Sequence, residues 1–122
     1  MKAILSIKPV FVEKIKTGEK KYEYRRKIFK RDVDSIIVYV SSPIKKVVGE
    51  LIVEDILNDE IYALWENTRK NSGIDEEFFF KYFDKLDKGY AIKIKEFVIY
   101  DKPKKLEDFG LSYPPQAYAY LI

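Results

Sequence analysis

The stretch Gly18-Glu19-Lys20-Lys21-Tyr22-Glu23-Tyr24-Arg25-Arg26 decides how this sequence is read. It opens on a glycine suited to stop a helix. Tyr22 and Tyr24 then alternate with charged residues, the period-two pattern of a half-buried strand. Inside it lies the spacing Gly18-x-Lys20-x-x-Glu23-x-Arg25. Along a strand Glu23 and Arg25 share a face, while Lys20 has the opposite parity. Lys20 therefore joins them only if the strand begins after it or bends. Charge is concentrated here too. Residues 14–31 hold nine positive and two negative side chains, a net +7 within a chain of net +3, so the remainder sums to −4. One basic zone on an otherwise acidic chain is the footprint of an anionic partner. The competing reading is a solvated basic face.

A length of 122 residues predicts one domain over residues 1–122, large enough to bury a core. Ten tyrosines and eight phenylalanines suit a site that is apolar on one side and wet on the other. Cysteine and histidine are both absent. This excludes disulfides, a thiolate nucleophile, imidazole-based triads and His-liganded zinc. Any proton transfer then falls to Lys, Glu, Asp or Tyr. The carboxylates are scattered and no calcium-loop pattern is present, so neither metal nor cofactor is expected. No leader segment and no membrane-spanning apolar run is visible, which points to the cytoplasm and to no membrane partner.

Residues 2–8 read as a strand, and Pro9 starts a helix that runs to Thr17 and stops at Gly18. The basic strand follows, then a polar loop from Lys27 to Asp34. The apolar run Ile36 to Val40 reads as a buried central strand. Ser41-Ser42-Pro43 is a turn, and Val47 to Leu57 a long strand in which Gly49 marks a bulge or a close backbone approach. Asn58 and Asp59 are expected to cap a helix facing inward with Ile61, Leu64 and Trp65. Asp75 caps another, with Phe79, Phe83 and Leu86 as its stripe, ended by Gly89. Tyr90 to Tyr100 reads as a strand that changes phase near Glu96, Asp101 to Pro115 as a loop, and Gln116 to Ile122 as a closing strand. The class is α+β, with about six short, curved strands that favour a small barrel over a flat sheet.

Ile4-Leu5-Ser6-Ile7-Lys8-Pro9, the Gly18-x-Lys20-x-x-Glu23-x-Arg25 spacing, Ser41-Ser42-Pro43, Gly49-Glu50, Gly89-Tyr90-Ala91-Ile92 and Pro114-Pro115-Gln116 together resemble an ASCH domain of the PUA-like superfamily. The resemblance covers nearly the whole chain and implies a stand-alone ASCH protein. It implies a PUA-like small mixed β-barrel with peripheral helices at its ends, and a cleft floored by the motif strand and suited to RNA or a nucleotide. Members of that family are mostly RNA-binding or regulatory. Some small relatives hydrolyse N4-acetylcytidine, and others are ribonucleases. In the amidohydrolase branch the motif lysine is catalytic, which corresponds to Lys20; that branch has threonine where this chain has Glu23.

The candidate RNA- or nucleotide-binding residues are Lys20, Arg25 and Arg26 for the backbone, with Tyr39, Tyr90 and Tyr118 for base stacking. Ser41 and Ser42, with Lys45 just beyond them, form a turn able to hold phosphate. Gln116 is the only glutamine and is placed to read a base edge. Each has a plainer reading: a Glu23–Arg25 ion pair that only fixes the strand, tyrosines that only pack, an ordinary Ser-Pro turn, a glutamine that only caps backbone. If the chain is an enzyme, its base is Lys20, Glu23 or Glu50, and a lysine base requires a pKa lowered from roughly 10.4. A third reading is a regulatory module that docks an acidic protein through the basic zone. For the binding reading, Lys20, Arg25, Tyr39, Ser41 and Gln116 are expected to converge on one barrel rim.

Overall fold

The computed structural model describes residues 1–121. Six strands and three α-helices follow one another as β1 (Lys2–Ile7), α1 (Pro9–Thr17), β2 (Tyr22–Arg25), β3 (Ser35–Val40), β4 (Lys46–Glu60), α2 (Ile61–Thr68), α3 (Glu76–Tyr82), β5 (Lys88–Lys104) and β6 (Ala119–Leu121). The strands form one sheet in the order β2-β5-β4-β3-β1-β6. Only the β1–β3 pair is parallel, so the sheet is mixed. No helix among the described residues is long and apolar enough to cross a membrane.

Alternation along β1 builds the core on both faces. Ala3, Leu5 and Ile7 join Val12 and Ile15 of α1 in one cluster, whereas Ile4 joins Ile37, Tyr39, Val47 and Leu106 in another. β3 lies between β1 and β4 and is buried along its whole length, as a continuous apolar run requires. A third cluster is mostly aromatic. Tyr24, Trp65, Phe79 and Phe83 fill the space between β2, β5 and helices α2 and α3.

The sheet curls into a barrel-like shape, yet no strand ladder joins its two edges, β2 and β6, among the described residues. One hydrogen bond spans part of that gap: the Arg25 guanidinium donates to the Ala117 carbonyl at 2.9 Å. Two of the irregularities in the ladders lie where the sequence marks them, and a further one between Val53 and Asp55 carries no such mark. At Gly49 the ladder slips between Val47 and Gly49, and a Cβ there would collide with the Val98 carbonyl. Opposite Glu96 it slips again between Ile52 and Val53, which accounts for the change of phase.

Several boundaries differ from expectation. Asn58 and Asp59 are still strand; the cap of α2 is Glu60, whose carboxylate accepts from the Ala63 amide at 3.2 Å. The β4–β5 ladder continues to Glu60 opposite Lys88, and cross-strand pairing outweighs the capping preference of Asn and Asp. For the same reason β5 begins before Gly89 and runs on through Pro103 to Lys104. Asp75 does cap α3, accepting from the Phe78 amide at 2.7 Å. That helix ends at Tyr82, so Leu86 lies beyond it and is exposed. The closing strand is shorter than Gln116 to Ile122, and Ile122 lies outside the described residues.

Candidate functional site

Gly18 is left-handed at φ 84° and its amide bonds back to Ile15, which ends α1 and turns the chain. Lys20 follows in a single bridge to Ser72, and β2 starts only at Tyr22. The strand thus begins after Lys20, which satisfies the parity condition. Lys20, Glu23 and Arg25 all line one cleft of about 150 Å³, together with Ser6, Phe11, Tyr24, Ile74, Phe78 and Tyr82. Its floor comes from the β2 end, one wall from α1 and the other from α3 and the loop ahead of it.

Lys20 is only 3% exposed. Its Nζ donates to the Ser72 carbonyl at 3.0 Å. The same atom stands 4.8 Å from the Tyr24 ring centroid and 5.1 Å from that of Phe11, close enough for cation–π attraction. Burial pushes its pKa below 10.5; nearby Glu23 opposes this, and Lys14 adds to it. Glu23 is 6% exposed, and its Oε2 accepts from Arg25 Nη1 at 3.4 Å. Arg25 is thus held twice, by Glu23 and by the Ala117 carbonyl. The pair is mostly buried, so removing either partner leaves the other charge uncompensated. Tyr24 donates to the Thr68 hydroxyl at 2.7 Å, and burial lifts its pKa to about 12. Tyr82 donates to the Tyr24 carbonyl at 3.1 Å and is also pushed up by burial, with Arg25 opposing.

Gly73 makes this placement of Lys20 sterically feasible. It sits at φ +70°, and a Cβ there would lie 2.6 Å from the Lys20 Cβ. Its carbonyl also accepts from Lys14 Nζ at 2.8 Å. Gly73→Ala is expected to destabilise the protein by about 1–3 kcal/mol, from left-handed strain and from the forced shift of Lys20. Urea denaturation checks this, with Gly18→Ala as the comparison, since a Cβ at Gly18 would meet nothing within 4 Å. A loss at Gly73 no larger than at Gly18 would show that the Lys20 contact does not matter.

The other candidate residues are dispersed. Tyr39 is buried in the cluster beneath Leu106, so it cannot stack on a base at the cleft. Lys45 lies near it, in a separate depression. Glu50 lies outside the cleft, bonded to the Ser35 hydroxyl and to Lys2 Nζ at 3.0 Å. Burial pushes its carboxyl up, but Ser35 and Lys2 outweigh that and hold it below the ordinary range. Tyr90 lines a different depression beside Ile28 and Phe29. Tyr118 packs its ring 5.0 Å from that of Phe29. Ser41 closes onto the end of β1, its amide donating to the Ile7 carbonyl at 3.0 Å, and Ser42 is exposed in the following turn. Gln116 and Arg26 lie next to the cleft, in a depression that shares Arg25 and Tyr82 with it. The five-residue convergence therefore reduces to Lys20 and Arg25, with Gln116 alongside.

Sequence reasoning missed the cleft's apolar side. Phe11 and Phe78 meet edge to face at 5.6 Å, and Phe78 remains 40% exposed at the rim. The signal was present: Phe78 falls outside the stripe of its own helix, one position before the fully buried Phe79.

The sequence profile of the ASCH domain matches residues 5–108. Two curated relatives illustrate the similarity. Large ribosomal subunit protein uL22 of Ureaplasma parvum is 34% identical over 86 residues, 70% of this chain and 28% of that protein. The ASCH domain-containing ribonuclease of Zymomonas mobilis is 27% identical over 95 residues, 77% of this chain and 64% of that protein. The chain thus spans under a third of the first and slightly under two thirds of the second. The crystal structure of ASCH from Zymomonas mobilis aligns with a TM-score of 0.89 at 25% identity, covering 99% of this chain and 87% of the other. A point variant of the same protein aligns equally well at 26% identity. With the profile spanning most of the residues and the fold shared almost end to end, this chain belongs to the ASCH domain family.

Proposed function

We propose that the cleft binds one nucleotide of an RNA strand. The observation that carries this reading is the meeting of Lys20, Glu23 and Arg25 in one small cleft walled by Phe11, Phe78, Tyr24 and Tyr82. RNA recognition of unpaired bases relies on aromatic faces combined with cationic groups. At about 150 Å³ the cleft is below the roughly 300–1,000 Å³ of sites that engulf a drug-sized ligand. It suits one flat or phosphorylated group rather than a folded RNA. Lys20 and Arg25 supply charge for the backbone, and Glu23 fixes Arg25 or accepts from a base amino group.

Titrating labelled single-stranded RNA at several salt concentrations tests the reading. Arg25→Gln removes the charge but keeps a polar side chain at the cleft. It is expected to weaken binding by about tenfold and to flatten the dependence of log affinity on log salt by roughly 0.7, the loss of one phosphate contact. Equal affinity and equal slope for parent and variant would refute this site.

The lowered pKa of Lys20 and the ribonuclease relative favour a second reading, in which the bound strand is also cleaved. A neutral Lys20 would take the proton of the attacking 2′-hydroxyl as that oxygen bonds to phosphorus, and the ammonium so formed would return it to the 5′-oxygen as the P–O5′ bond breaks, while Arg25 offsets charge at phosphorus. Glu50 has no part in it, being outside the cleft. The two readings have opposite pH signatures. Binding requires charged Lys20 and weakens as pH rises through its lowered pKa, whereas base catalysis gains over the same interval. Incubation with single-stranded RNA and with N4-acetylcytidine, followed by product analysis across pH, separates them. An absence of product from both substrates would leave binding alone.

A further inference from the structure

Beside the cleft lies a broader depression of about 450 Å³, lined by Arg25, Arg26, Lys27, Tyr82, Leu86, Gln116 and Ala117. Resting on the reading of the cleft as a nucleotide site, we propose that this depression takes the phosphodiester of the neighbouring nucleotide, making the ligand a single-stranded RNA longer than one residue. Three observations carry the inference. First, the two hollows are contiguous, because Arg25 and Tyr82 line both. A strand seated in one can pass into the other across that shared wall, whereas the hollow that meets the cleft at Lys20 carries Glu54 and Glu96 in its lining.

Second, the lining of the depression contains three cationic side chains and no carboxylate. The cleft differs, since there Glu23 offsets part of the charge. A concave surface of one sign concentrates its field and attracts the opposite charge. Third, two of the three charges there are uncommitted. Arg25 is already held by Glu23 and Ala117, whereas Arg26 and Lys27 are exposed and form no ion pair among the described residues. Arg25 therefore stands fixed between the two hollows and serves the cleft, and Arg26 and Lys27 are the groups free to reach a further phosphate in the depression. Gln116 adds a neutral donor on the same side, suited to a sugar hydroxyl or phosphate oxygen.

The experiment compares a short single-stranded oligoribonucleotide of mixed sequence with the nucleoside monophosphates, both against the whole chain, at several salt concentrations. The oligoribonucleotide is expected to bind at least about tenfold tighter at low salt, with a slope of log affinity on log salt steeper by about 0.7 per added phosphate contact. In the variant carrying Arg26→Ala and Lys27→Ala, affinity for the oligoribonucleotide should fall to that of the monophosphates. Both positions are exposed, so a thermal melt should match the parent. If a monophosphate binds and the oligoribonucleotide binds no tighter, or if the double variant keeps the full advantage, the extended site is overturned while the cleft stands. If neither probe binds the parent, the nucleotide reading of the cleft fails and the extension fails with it.

Discussion

Replacing Lys20 with methionine is expected to weaken RNA binding by about 10- to 150-fold, the equivalent of one charge-assisted hydrogen bond of about 1.5–3 kcal/mol. It is also expected to change how stability responds to pH. In the unfolded chain the lysine titrates near 10.5; in the fold, burial moves it lower. Between the two values the unfolded state holds more protons than the folded one, so stability rises with pH across that window. Below the window the buried ammonium is a standing cost. Lys20→Met removes the titration, and the alkaline rise should disappear from denaturant midpoints measured across pH. Glu23 keeps its Arg25 partner in this variant, so no buried carboxylate is stranded. A variant that binds RNA as the parent does would show that Lys20 is not the binding cation, and one that keeps the alkaline rise would show that it is not the titrating group.

Phe79→Ala is expected to cost about 3–5 kcal/mol. Phe79 is fully buried and lies within 5.2 Å, centroid to centroid, of the rings of Tyr24, Trp65, Phe80 and Phe83. Each such pair adds about 0.5–1.5 kcal/mol beyond area burial, so one truncation loosens four contacts at once. A domain has only about 5–15 kcal/mol in total. The loss also reaches the cleft, because Tyr24 is both a neighbour of Phe79 and the ring beneath Lys20. Phe79→Leu should lose less, since it leaves a smaller cavity. Urea denaturation measures both, and a cost under about 1 kcal/mol for the alanine variant would mean the aromatic cluster is not the organising core of α2 and α3.

Local rules read much of this structure. The helix stop at Gly18, the buried β3, the bend opposite Glu96 and the tight approach at Gly49 each follow from one or two residues and their chemistry. The motif spacing placed Glu23 and Arg25 on one face and named the condition for Lys20 to join them. What was not legible depended on long-range pairing. Asn58 and Asp59 look like caps, yet the ladder with β5 holds them extended. Tyr39 resembles a stacking platform until Leu106, distant in sequence, covers it. Ser72 and Gly73 carry no motif, and they matter only because the chain returns there to receive Lys20.

The pairing of β1 with β6 sets Lys2 directly opposite Leu121. Cross-strand neighbours stand about 4.5–5.5 Å apart, so Lys2 and Leu121 lie side by side although they are 119 positions apart in sequence. Joining them through a few residues and cutting the chain elsewhere would preserve the layers. The short span between Lys2 and Leu121 is therefore a hinge-free seam at which these two strands can be linked without moving the rest of the sheet.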